Sequence, residues 1–152
     1  MKIHIERTIP ATPHRVYRAW LEPTFVQRWM APQGSEVTRV EIDERVGGAY
    51  RTWKAQAGSI VGGFDSELLE LVPDQRLAFS WGFIGPQRRK GPAFDTLLTV
   101  TFDVAPGGGT KLTLVHEQLD ELEAAMPDVA KYVRPGWESL LQNLTTLVAR
   151  FP

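Results

Sequence analysis

The chain has 152 residues, 43% of them apolar, which fits one domain over residues 1–152 able to bury roughly 70% of its extended-chain surface. Seventeen Lys and Arg against eighteen Asp and Glu leave a net charge of −1. That is too little field to hold a polyanionic backbone or an anionic bilayer, and it argues against nucleic acid as the main partner. The absence of cysteine excludes disulfides, thiolate metal clusters and a thiol nucleophile. No apolar run approaches the ~18 residues of a spanning helix, and the charged start Met1-Lys2-Ile3-His4-Ile5-Glu6-Arg7 lacks a signal-peptide core. A cytoplasmic location is the expectation.

Ile3, Ile5 and Arg7 alternate with His4, Glu6 and Thr8, predicting a strand that ends near Ile9-Pro10. Thr12 can then cap a helix whose first turn tolerates Pro13, with Val16 and Trp20 on one face. Glu22-Pro23 repeats that logic for a second short helix bearing Phe25, Val26 and Trp29, stopped at Ala31-Pro32. From Glu36 to His116 the text alternates six times: Val37–Ile42, Ala49–Lys54, Ile60–Val72, Leu77–Phe83, Phe94–Val104 and Lys111–His116. Turns at Val46-Gly47-Gly48, Gln56-Ala57-Gly58-Ser59, Pro73-Asp74 and Pro106-Gly107-Gly108-Gly109 are short enough to join antiparallel neighbours. Leu68-Leu69 breaks the alternation and leaves the parity of its strand open. A longer basic loop runs from Gly85 to Ala93. Asp120-Glu121-Leu122-Glu123 starts a short helix before Pro127, with Leu122, Ala125 and Met126 expected against the domain. Trp137, Leu140, Leu141, Leu144, Leu147, Val148 and Phe151 then mark one face of a long terminal helix entered through Pro135. Such a stripe is stable only against a sheet.

The order of strand, two short helices, six strands and long helix resembles the helix-grip fold of the START-related, Bet v 1-like superfamily. The motifs narrow this. Ile9-Pro10-Ala11-Thr12-Pro13-His14-Arg15-Val16-Tyr17-Arg18-Ala19-Trp20, Glu22-Pro23, Arg28-Trp29, Asp43 to Tyr50, Pro73 to Trp81, Gly108 to His116 and Gly136-Trp137-Glu138-Ser139-Leu140 resemble, in order, the family named for the activator of the 90-kDa heat-shock protein's ATPase. The resemblance implies an α+β class: a curved antiparallel sheet of seven strands wrapped around a long C-terminal helix, with two short helices after the first strand. Members often carry a histidine before the Gly-Trp pair; this chain has Tyr132-Val133-Arg134-Pro135, so that histidine's role does not transfer. The resemblance does not bring chaperone binding with it.

A curved sheet against a straight helix can leave space between them. The ligand-binding candidates are Trp53, Phe64, Phe79, Trp81, Phe94, Leu114, His116, Met126, Trp137 and Leu141, although the same composition also fills ordinary cores. His116, followed by Glu117, would orient a ligand or act as a base if a partner lay in reach. The three histidines show no ligand spacing, so no metal is expected and no cofactor is assigned. Val46-Gly47-Gly48 joins strands and lacks the lysine and hydroxyl of a phosphate loop. The leading expectation is a binding protein without assigned catalysis that holds an apolar or amphipathic small molecule between sheet and helix. The alternatives are a cyclase- or hydrolase-like enzyme of the same superfamily, and a chaperone-associated or homodimeric interaction module.

Overall fold

A computed structural model describes residues 1–31, 35–84 and 93–150, without the side chains of Ile60, Val61, Ile84, Ala93 and Phe94. Strand β1 covers Ile3–Ile9, followed by helices α1 (Pro13–Leu21) and α2 (Pro23–Trp29). The Thr12 hydroxyl accepts from the Arg15 amide at 3.3 Å, closing the first turn of α1 as its sequence predicts. Strands β2 (Glu36–Ile42), β3 (Ala49–Gln56), β4 (Ser59–Val72), β5 (Arg76–Ile84), β6 (Ala93–Val104) and β7 (Thr110–Glu117) follow. Three helices complete the chain: α3 (Asp120–Ala125), α4 (Pro127–Ala130) and α5 (Val133–Arg150).

The seven strands form one antiparallel sheet in the order β1-β7-β6-β5-β4-β3-β2. The six strands β2 to β7 are each paired with their sequence neighbours, and the last closes beside the first. Gly109 shows why the final turn needs glycine: a Cβ there would lie 2.7 Å from the Ile9 carbonyl oxygen. Within the 106–109 turn, Gly107 and Gly108 adopt φ of +92° and +100°, conformations in which a side chain is strained.

Helix α5 packs its Trp137, Leu140, Leu141, Leu144 and Val148 face inward, all buried. Its near neighbours are α2, β1 and α1, and the Asn143 amide donates to the Trp29 and Ala31 carbonyls at 3.4 and 3.1 Å. Those bonds tie the middle of the helix to the end of α2. Arg134 donates to the His4 carbonyl at 3.2 Å, fixing the start of the helix near β1.

The ambiguous stretch of β4 contains a bulge. The register with β5 shifts between Leu68 and Glu70, so Leu68 is fully buried while Leu69 turns out to solvent. Alternation resumes on the other side. The segment before α5 differs from its sequence reading: only Leu122 of the expected trio is buried, while Ala125 and Met126 face solvent. Pro127 opens a separate turn of helix, α4, and so redirects the chain before Ala125 and Met126 can reach the core. The basic loop lies outside the described residues over 85–92, as does Phe151.

Candidate functional site

The concave face of the sheet is built by parity. Strand β5 contributes Leu77, Phe79, Trp81 and Phe83; β6 contributes Thr96, Leu98, Val100 and Phe102; β7 contributes Leu112, Leu114 and His116. On β3 and β4 the inward positions are Tyr50, Thr52 and Lys54, and Phe64, Ser66 and Leu68, paired Tyr50 with Ser66, Thr52 with Phe64 and Lys54 with Gly62. Trp20 and Trp29 from α1 and α2, with Trp137 from α5, cover this surface. Ring centroids lie 4.7 Å apart for Phe64–Trp81, 4.8 Å for Trp20–Trp29, 5.5 Å for Trp81–Trp137 and 6.0 Å for Trp20–Trp137. Each pair adds ~0.5–1.5 kcal/mol beyond area burial.

At the β7 side the polar groups form a closed chain. The Trp137 indole N–H donates to His116 Nδ1 at 3.0 Å. An indole can only donate, so Nδ1 accepts and Nε2 carries the ring proton, which it donates to Thr96 Oγ1 at 2.6 Å. The Thr96 hydroxyl donates in turn to the Trp81 carbonyl at 2.8 Å. Burial pushes the His116 pKa down from 6.5 to about 4, so the imidazole is neutral. Phe83 stacks on its ring at 5.9 Å. Both ring nitrogens are therefore occupied by protein partners, which leaves no lone pair to take a substrate proton.

Toward β3 and β4 the accounting is different. The indole N–H groups of Trp20 and Trp81 and the hydroxyl of Ser66 are buried without a hydrogen-bond partner. Tyr50 and Trp29 are satisfied: the Tyr50 hydroxyl donates to the Trp20 carbonyl at 2.6 Å, and the Trp29 indole to the Ala19 carbonyl at 3.0 Å. Lys54 is half-buried on the inner face, its ammonium 4.7 Å from the centre of the Phe64 ring.

The ten sequence candidates sort by this geometry. Phe64, Phe79, Trp81, Leu114, His116, Trp137 and Leu141 all belong to the buried interior. Trp53 does not. Strand alternation from Tyr50 and Thr52 turns it to the outer face, where the Arg39 guanidinium lies 4.9 Å over its ring. Met126 is 46% exposed at the α3–α4 junction. Phe94 is on β6, with its side chain outside the described residues. Sequence reasoning missed Lys54, Ser66 and Thr96; Lys54 and Thr96 continue inward period-two rows and were legible by counting, whereas the break at Leu68-Leu69 hid the parity of Ser66.

Two clefts open elsewhere. One, of about 320 Å³, runs over the outer face beside Arg51, Asp65, Glu67, Ser80 and Asp95. The other, of about 420 Å³, lies between Pro10–Thr12, Arg15 and the 107–109 glycines. Among the described residues no three His, Asp or Glu side chains are grouped to hold a metal ion, and no helix is long and apolar enough to cross a membrane.

A seven-stranded antiparallel sheet curved about a long terminal helix, with two short helices after β1, defines a helix-grip protein. Residues 10–149 match the family model described as "Activator of Hsp90 ATPase homolog 1-like protein", and the chain belongs to that family. A crystal structure of a Chromobacterium violaceum protein is similar at 31% identity and a TM-score of 0.77, with 97% of this chain and 96% of that one covered. A Rhizobium leguminosarum protein of unassigned function gives 26% identity and a TM-score of 0.74, covering 99% and 95%. The solution structure of an AHSA1-like protein from Aeromonas hydrophila shares the fold at 21% identity and a TM-score of 0.74, covering 99% and 93%. No curated protein matches the chain.

Proposed function

We propose that the protein binds a small apolar or amphipathic molecule on the concave face, between β3–β5 and α5, and acts as a carrier or sensor of that molecule. One observation carries the reading: the Trp81 indole N–H is buried among aromatic rings with no acceptor. A buried donor left unpaired costs about 1–3 kcal/mol. Nearly all such groups in folded proteins have a partner, whether protein, water or ligand. Nearby, the Ser66 hydroxyl is orphaned in the same way from the strand paired with β5, directly across from Trp81. An apolar surface with a few unpaired polar groups converging on it is what a small-molecule site requires. The paired state of His116 supports binding over acid–base catalysis at this place.

The test is a fluorescence titration. Four of the five tryptophans, Trp20, Trp29, Trp81 and Trp137, sit on or over the concave face, so a guest there must change their emission. Saturable changes with fatty alcohols, fatty acids or bicyclic aromatics are expected, reduced in Trp81→Phe. Flat titrations across that panel, with a native mass equal to the bare chain, would overturn the proposal.

A further inference from the structure

The concave face carries an ionisable side chain, Lys54, for whose charge no described residue supplies a counter-ion. Lys54 lies on β3 between Val37 of β2 and Gly62 of β4. Val37 is a buried core residue. Gly62, at φ +145°, is buried and offers no side chain to the Lys54 stem. Phe64, two residues further along β4, places its ring against the ammonium. Among the described residues no carboxylate forms an ion pair with Lys54, and the acidic side chains of this region, Asp65 and Glu67, alternate to the outer face with Arg51 and Ala49. Burial holds the Lys54 pKa below its ordinary value. A cation–π contact alone is a weak return for partial desolvation of an ammonium.

The rest of the inner face has the same bias. From Lys54 the rings of Phe64 and Trp81 follow in contact, and the indole N–H groups of Trp81 and Trp20 are buried in the same interior without a hydrogen-bond partner. Every unpaired group in this row can donate a hydrogen bond, the Ser66 hydroxyl included, and none is an acceptor only. The Trp137 and Tyr50 donors have already found protein acceptors. Among the described residues the unpaired buried side-chain groups are thus all able to donate, and they lie in an interior with one positive charge.

Building on the small-molecule reading above, we infer that the guest is an amphiphile with an anionic, carboxylate-type head, and that Lys54 is the residue that receives this head while the apolar tail lies along Phe64, Trp81 and Phe83. A carboxylate brings acceptor oxygens and a compensating charge together. A neutral alcohol brings acceptor capacity without the charge, and an ammonium head would meet Lys54 with like charge.

Three ten-carbon probes separate these heads: decanoate, decanol and decyltrimethylammonium, titrated against tryptophan fluorescence at neutral pH. A charge-assisted contact strengthens binding by about 1.4 kcal/mol or more, so decanoate is expected to bind at least tenfold tighter than decanol, with the cationic probe weakest. In Lys54→Met, which keeps the aliphatic stem, decanoate and decanol should bind equally, at the affinity decanol has for the unaltered chain. Lys54→Arg should retain the preference. Retained decanol binding by Lys54→Met also shows that the variant is folded. Equal affinities for decanoate and decanol in the unaltered protein would overturn this inference and leave the small-molecule reading standing, as would a preference that survives Lys54→Met. Failure of all three probes to bind would overturn this inference, and the small-molecule reading would fall with it only if bicyclic aromatics also failed and the native mass equalled that of the bare chain.

Discussion

The two flanks of the concave face are made of similar residues and differ in how their polar atoms end. On the β6–β7 flank, Trp137, His116, Thr96 and the Trp81 carbonyl form a chain in which each donor meets an acceptor. On the β3–β4 flank, Lys54 lies over the Phe64 ring with no ion-pair partner among the described residues, and Ser66 and the Trp81 indole N–H have no hydrogen-bond partner there. Trp81 belongs to both, its carbonyl satisfied on one side and its N–H idle on the other. The proposed site rests on this contrast between two polar groups of one residue. Burial alone does not separate the flanks, since both are buried. A completed hydrogen-bond chain stabilises the fold, whereas an incomplete one raises the energy of the empty protein and lowers it on binding.

The largest expected effect falls on the satisfied flank. Trp137→Ala removes a buried ring touching Trp20, Trp81 and His116, together with the donor to His116 Nδ1. It should cost about 3–5 kcal/mol in urea unfolding. A loss under about 1 kcal/mol would mean that α5 is not anchored there, and that the contrast between the flanks is smaller than drawn. Next is the pH dependence of the same network. His116 titrates near 4 when folded against 6.5 when unfolded. Above 6.5 neither state binds the proton and the network contributes in full. As pH falls from 6.5 toward 4 the unfolded chain takes up the proton first, so stability declines by about 3 kcal/mol and then levels off. Subtracting the unfolding profile of His116→Gln from that of the unaltered chain isolates this component. A flat difference across the window would show that the folded imidazole takes up its proton as the unfolded one does, and that the network does not hold it neutral.

Thr96→Val is milder and more selective. It preserves shape while leaving His116 Nε2–H without an acceptor and the Trp81 carbonyl without its donor. The cost should be about 1–3 kcal/mol, with no loss of guest binding if the flanks are separate. A matched fall in decanoate affinity would join them into one site.

Most of the scaffold was legible because it depends on local chemistry. Thr12 and Pro13 announce α1, and strand alternation assigns Phe79, Trp81, Leu114 and His116 to one face before any coordinates exist. The errors arise where a local rule meets a tertiary event. Trp53 is as aromatic as Trp81, and only the count from Tyr50 turns it outward. Met126 was read as the end of an inward helical face, but Pro127 opens a new helix at that point and leaves it exposed. Which donors remain unpaired was not readable at all. Trp137 and Trp81 are the same residue type on facing elements, and only three-dimensional placement gives one of them His116 and the other nothing.

The smallest predicted effect has the opposite sign, which makes it the most discriminating. If the β3–β4 flank is built for a guest and not for the empty fold, removing its unpaired charge should not weaken the protein. In Lys54→Met the aliphatic stem still lies between Val37 and Gly62, the Phe64 contact changes from cation–π to sulfur–aromatic, and the partial desolvation of an ammonium is relieved. The two changes oppose each other, one losing ~0.5–1 kcal/mol of ring attraction and the other relieving a desolvation cost at least as large. The net in guest-free protein should lie between neutral and about 1 kcal/mol of added stability, read as an unchanged or raised urea midpoint. Added decanoate should then reverse the ranking, since only the chain that keeps Lys54 gains the full stabilisation of a bound anion. A clear loss of stability in guest-free Lys54→Met would place this lysine with His116 and Thr96, as a residue the fold itself needs.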